Sequence, residues 1–145
     1  MNIIYLDLRM ALQVYANTVK HSGGGIDGMR DQGQLECILD MMQNDDYYPK
    51  FLDKLVYLVY STNQSHCFLD GNKRISITLG AQFLLLNGYM AIAGRYFYEM
   101  ENISYHMAAG KISKELLEKI ITSILDGEED FSEELKLEIL FAISS

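Results

Sequence analysis

The chain has 145 residues, a formal net charge of −8, 49% hydrophobic and 22% charged residues, which is the makeup of one globular domain with a real core. A negative surface repels nucleic-acid phosphates and so disfavours direct DNA or RNA binding, and no apolar run approaches the roughly 18–20 residues of a membrane span. The two cysteines, Cys37 and Cys67, form no CxxC pair and no zinc-type spacing. No basic stretch followed by an apolar run opens the chain, so a cytoplasmic location with reduced thiols is expected.

In chain order the pattern predicts helices. Asp7 can cap a first helix over 8–20, with Leu8, Ala11, Leu12, Tyr15 and Val19 on one face. A glycine-rich stretch, Ser22 to Gly28, breaks it. Asp31 can cap a second helix over 32–43, ended by Asn44-Asp45-Asp46. Pro49 suits the first turn of a third helix, which runs to about 64 with Phe51, Leu55, Leu58 and Val59 as its core face. A loop over 65–71 follows. The fourth helix spans 72–87, with Gly88 as its C′ residue. Ile75, Leu79, Phe83 and Leu86 form one stripe of it, and Ile77, Ala81, Leu84 and Leu85 cover most of the rest. A helix apolar nearly all round is the buried centre of a bundle. Residues 89–93 read as a short extended piece. Helices over 98–109, 114–125 (capped by Ser113) and 132–141 (capped by Ser132) complete the chain.

The chemistry is concentrated in His66-Cys67-Phe68-Leu69-Asp70-Gly71-Asn72-Lys73-Arg74, at the start of the central helix. The first N–H groups of a helix lack intrahelical partners, and with the helix dipole they form an anion site that a glycine lets a phosphate approach. Lys73 and Arg74 oppose the usual preference for acidic residues at a helix N-terminus, a conflict an anionic ligand would resolve. Asp70 is a natural Mg²⁺ ligand beside bound phosphates. His66 titrates near neutrality and can accept a proton from a hydroxyl nucleophile. Phe68 is expected to point into the core and anchor the loop, and Asn72 to bind phosphate or orient the loop. Together these parts suit transfer of a phosphate-containing group from a nucleotide.

This order resembles the Fic/Doc family signature, His-x-Phe-x-Asp/Glu-Gly/Ala-Asn-Gly/Lys-Arg. The segment Gly28-Met29-Arg30-Asp31-Gln32-Gly33-Gln34-Leu35-Glu36 is similar to the family's upstream part, and Leu84-Leu85-Leu86-Asn87-Gly88-Tyr89 to the end of its motif helix. The resemblance spans residues 3–125. It implies an all-α bundle around a central buried helix, a Fic/Doc-like domain over 1–125 and an acidic, helical extension over 126–145. It also implies that His66 is the catalytic base, that Asp70 is the Mg²⁺-site residue, and that Gly71, Asn72, Lys73 and Arg74 bind the phosphates of ATP.

Two positions point to a branch. Adenylyl-transferring members usually carry glycine where Lys73 stands and a second arginine where Ile77 stands. Both departures resemble Doc, the death-on-curing toxin branch, whose members phosphorylate elongation factor Tu and stop translation. The lysine would bring the γ- rather than the α-phosphate to His66. A Fic-type adenylyl- or nucleotidyl-transferase is the alternative, and an inactive Fic-fold binding module a second. No Ser or Thr is followed four residues later by Glu, as a self-inhibiting family helix requires, so restraint is expected from a separate Phd-like antitoxin chain. Gly23, Gly24, Gly25, Ile26, Asp27 and Gly28 are read either as a plain connection or as a small β-hairpin flap that docks the protein target by strand addition.

Overall fold

The computed structural model describes residues 2–21, 30–65, 67–68 and 71–145, with the side chain of His21 set aside. Seven helices are found among the described residues: α1 (Leu8–His21), α2 (Gln32–Met41), α3 (Phe51–Ser65), α4 (Asn72–Leu86), α5 (Met90–Ala108), α6 (Lys114–Leu125) and α7 (Glu133–Ser144). No strand occurs among these residues beyond a lone bridge position at Phe68, so the all-α expectation holds. The proposed flap, residues 23–28, lies outside the described residues.

Local capping sets most helix starts. The carboxylate of Asp7 accepts from Met10 N–H at 2.8 Å, and that of Asp31 from Gln34 N–H at 2.9 Å. Ser113 and Ser132 accept from Leu116 and Leu135 N–H, each at 3.1 Å. Each satisfies one of the donors that a helix start leaves unpaired. The third helix begins two residues later than Pro49 suggested. Asp53 accepts from Lys50 N–H at 3.0 Å and sets the boundary there, so the proline stands before the helix rather than within its first turn.

Helix α4 is the core element, packed most extensively on α3 and α5 and also on α1. Ile75, Ile77, Leu79, Ala81, Phe83 and Leu84 are buried. Leu85, expected on the covered face, is instead 41% exposed, because the neighbouring helices leave that side open. Both ends of α4 are tied by asparagine side chains. At its C-terminal end the Asn87 amide donates to Ile4 C=O and accepts from Ile4 N–H, both at 2.9 Å, pinning the N-terminal segment. Gly88 follows at φ +88°, the left-handed conformation that a C′ glycine adopts without a Cβ clash.

The largest departure from the sequence reading is α5. Residues 90–93 are helical, not extended, and the helix runs on through 94–97 into the expected one: Ile92 and Ala93 N–H both donate to Tyr89 C=O. The tertiary reason is Tyr96. Its ring is fully buried, and its Oη donates to Ile77 C=O of α4 at 3.2 Å. That position is open only because residue 80 is glycine, since a Cβ there would collide with Tyr96 Oη and stand 2.8 Å from Val59 Cγ2. Burial pushes the Tyr96 phenol far above the ordinary tyrosine range.

Among the described residues one charge is buried in this core. Lys54 of α3 has no exposed surface, and its Nζ reaches Asp45 at 2.7 Å and Met42 C=O, at the end of α2, at 3.2 Å. Burial pushes the ammonium down, but hydrogen bonds to Asp45 and Tyr5 outweigh it and hold its pKa above the usual lysine value. At the other end of the chain α7 rests on α6 and buries only Leu135.

Candidate active site

Of the nine motif residues, His66, Leu69 and Asp70 lie outside the described residues. The rest show how the loop is built. Cys67 and Phe68 have no exposed surface, so the described part of the loop is held by its apolar members. The Phe68 ring stacks on Tyr15 of α1, with centroids 4.5 Å apart and planes 21° from parallel. Cys67 Sγ and Ser65 Oγ share a hydrogen bond of 2.9 Å. Burial pushes the Cys67 thiol above its ordinary value, with the Ser65 hydrogen bond acting in the opposite direction.

The loop backbone is held from two sides. Arg30 and Asp31 N–H both donate to Cys67 C=O, at 2.8 and 3.0 Å, which ties the loop to the start of α2. On the other side Asn72 clamps Phe68: its Nδ2 donates to Phe68 C=O at 2.9 Å, and its Oδ1 accepts from Phe68 N–H at 3.1 Å. Of the two roles the sequence left open for Asn72, the side chain takes the one of orienting the loop.

Gly71 occupies the N-cap of α4 at φ +79°, ψ 15°, with no side-chain cap on the helix. A residue with a Cβ would be strained in this left-handed conformation. The first turn of α4 contains no acidic residue. Lys73 and Arg74 are both exposed, and neither forms an ion pair among the described residues. A glycine N-cap followed by two exposed cations, with no carboxylate in the first turn, is a local pattern that favours an anion.

Tyr105 of α5 lies beside it, a residue the sequence reading passed over. Lys73 Nζ sits 5.2 Å from the centre of the Tyr105 ring, within cation–π range. The edge of His106 packs on the same ring at 5.2 Å. The antiparallel course of α4 and α5 brings residues 73 and 105 together, and no local sequence signal announces such a pairing. Ile77, one turn further along α4, is only 2% exposed. The position where the sequence resemblance would put a second arginine in an adenylyl-transferring enzyme therefore belongs here to the core.

Among the described residues no cluster of three or more His, Cys, Asp or Glu side chains could hold a metal ion. Mg²⁺ bound with a nucleotide needs only one or two carboxylates beside the phosphate oxygens, so one acidic residue at the loop is compatible with it. Among the same residues no helix is long and apolar enough to cross a membrane.

A helical bundle whose central helix opens on a glycine-capped, cation-bearing loop is the arrangement of a Fic-type transferase, and comparison with known proteins agrees. The model of the Fic/DOC family matches residues 5–84, and the chain belongs to that family. The chain is also 32% identical over 94 residues to protein kinase doc of Escherichia phage P1, a match covering 62% of this chain and 71% of the phage protein. That likeness places it on the Doc side of the family.

Proposed function

We propose that this protein is a Doc-like toxin that transfers the γ-phosphoryl group of ATP to a hydroxyl of a protein target, by resemblance elongation factor Tu, and so blocks translation. The observation that carries the reading is the start of α4: Lys73 exposed beside Gly71, and Ile77 withdrawn into the core. That arrangement offers the cations expected of the phosphate-transferring branch and lacks the second arginine expected of the adenylyl-transferring one. The relationship to a protein named as a kinase supports the same choice.

The chemistry follows from the parts. The N–H groups at the start of α4, with Lys73 and Arg74, bind the phosphate oxygens and stabilise the charge that spreads over them during transfer. Asn72, by holding the Phe68 backbone, keeps the loop in register with that anion site. His66 takes the proton of the target hydroxyl, whose oxygen attacks the γ-phosphorus. The bond from the γ-phosphorus to the bridging oxygen breaks, and ADP leaves with the electron pair. Asp70 would hold Mg²⁺, which when bound neutralises charge on the phosphates. Restraint in the cell falls to a separate antitoxin chain, in keeping with the toxin–antitoxin setting of the Doc branch.

Incubation of the protein with ATP, Mg²⁺ and elongation factor Tu, read by mass spectrometry, tests this. A gain of one phosphate on the factor is the expected result, lost in His66→Ala. A gain of AMP would replace the reading with adenylyl transfer. An unmodified factor combined with equal growth arrest by parent and His66→Ala would overturn enzymatic toxicity altogether.

A further inference from the structure

Lys73 stands in the first turn of α4, where the helix dipole disfavours a cation. Among the described residues no carboxylate pairs with it. The ring of Tyr105 meets it instead, with Nζ 5.2 Å from the ring centre, inside the cation–π limit of about 6 Å. Tyr105 is 57% exposed, so burial of its own ring does not account for where it stands.

The backbone that carries this ring is tied on both sides of it. Asn63 Nδ2 donates to Ser104 C=O at 3.1 Å, and Gln64 Nε2 donates to Met107 C=O at 2.9 Å. Gln64 Nε2 also donates to Asn63 Oδ1 at 2.9 Å, which joins the two ties. Ser104, Met107 and Asn63 are buried. Asn63 and Gln64 stand at the end of α3, just before the motif loop, so one stretch of chain both leads into the loop and sets Tyr105. His106 meets the Tyr105 ring at 84°, with centroids 5.2 Å apart. The ring is thus mounted on fixed backbone and backed by a second ring, and Lys73 is the lysine of the motif that it faces.

We propose that Tyr105 is a positioning residue for Lys73: its ring confines the ammonium at the start of α4 before the nucleotide arrives, so that Lys73 meets the phosphates with its side chain already ordered. This rests on the phosphate-binding role proposed for Lys73. A lysine side chain is long and flexible, and ordering it on binding costs affinity. A ring that orders it in the free protein removes part of that cost. Phenylalanine offers the same aromatic face and should serve in place of tyrosine, whereas leucine has no such face. The competing role, stacking of Tyr105 on the nucleotide base, would not depend on Lys73.

Binding of ATP with Mg²⁺ to the full chain, measured by isothermal titration calorimetry, tests this. Tyr105→Leu should weaken binding about three- to tenfold, and Tyr105→Phe by less than about twofold. In a Lys73→Met background Tyr105→Leu should change binding by less than about twofold, because the ring then has no ammonium to hold. Without nucleotide, the ε-methylene protons of Lys73 should be shifted upfield by the ring in the parent and in Tyr105→Phe, and lose that shift in Tyr105→Leu. An unshifted Lys73 in the parent, a Tyr105→Phe variant as weak as Tyr105→Leu, or a loss that persists in full in Lys73→Met overturns the positioning role and leaves phosphate transfer standing. A parent that shows the coupling but transfers AMP overturns phosphate transfer and leaves the positioning role standing. A parent that binds no ATP overturns both.

Discussion

Gly80→Ala is the smallest change that tests how the central helix is seated. The added Cβ would overlap Tyr96 Oη and stand 2.8 Å from Val59 Cγ2 and 3.0 Å from Tyr96 Cζ. None of these atoms is the loose end of a flexible chain: Tyr96 is fully buried and its hydroxyl is committed to Ile77 C=O at 3.2 Å. Accommodation needs α4 to move away from α3 and α5, or the tyrosine to leave its hydrogen bond. Overpacking of this kind costs about 1–3 kcal/mol, and a buried polar group left unpaired costs a further 1–3 or so. Alanine returns roughly 1 kcal/mol of helix propensity. The net expectation is a loss of about 2–4 kcal/mol, measured by urea denaturation followed by circular dichroism at constant m-value. Removing the hydroxyl should relieve the worst contact, so Gly80→Ala with Tyr96→Phe should be at least about 1 kcal/mol more stable than the two single losses predict together. A Gly80→Ala variant as stable as the parent, or strictly additive losses, would refute the packing described at this crossing.

Three further outcomes follow from other contacts. Asn72→Ala removes both hydrogen bonds to the Phe68 backbone; it should cost about 1–3 kcal/mol and lower the proposed phosphate transfer by on the order of 10²-fold through misplacement of the loop, with Asn72→Asp intermediate because it keeps the acceptor alone. Asp45→Ala strips one partner from the fully buried Lys54 and should destabilise by about 1–3 kcal/mol, whereas Lys54→Met, which removes the charge as well, should cost less; because the pKa of Lys54 is raised in the fold, its contribution is complete below about pH 10.5 and lost as pH climbs through its higher native value, visible in denaturation curves on the alkaline side. An aromatic disulfide reagent should label the exposed Cys37 at once and Cys67 only on unfolding; burial raises the Cys67 thiol above its reference of 9.0, so the unfolded chain releases its proton first, stability falls above about pH 9, and prompt labelling of both thiols in the native protein would contradict the buried loop.

What could be read from the sequence was what short-range chemistry decides. Asp7, Asp31, Ser113 and Ser132 cap their helices because the groups they satisfy lie three residues away, within reach of the side chain itself. The central place of α4 was legible because a helix apolar on nearly every side has nowhere else to go. The motif loop was legible as the entry to the central helix, and Gly71 takes the N-cap of α4. Tertiary structure decided what depends on partners distant in the chain. Residues 90–97 became helix because Tyr96 fits over Gly80, sixteen positions earlier, and Leu85 stayed exposed because no neighbouring helix covers it. Lys54 could be buried because Asp45 and the end of α2 meet its ammonium. Asn72 was committed to the loop and Lys73 set over Tyr105 by the way α4 lies against the loop and α5. Propensity and capping act within a turn of helix, whereas the free energy that selects one arrangement of an Asn, a Lys or a Tyr comes from surfaces that meet only when the chain has folded.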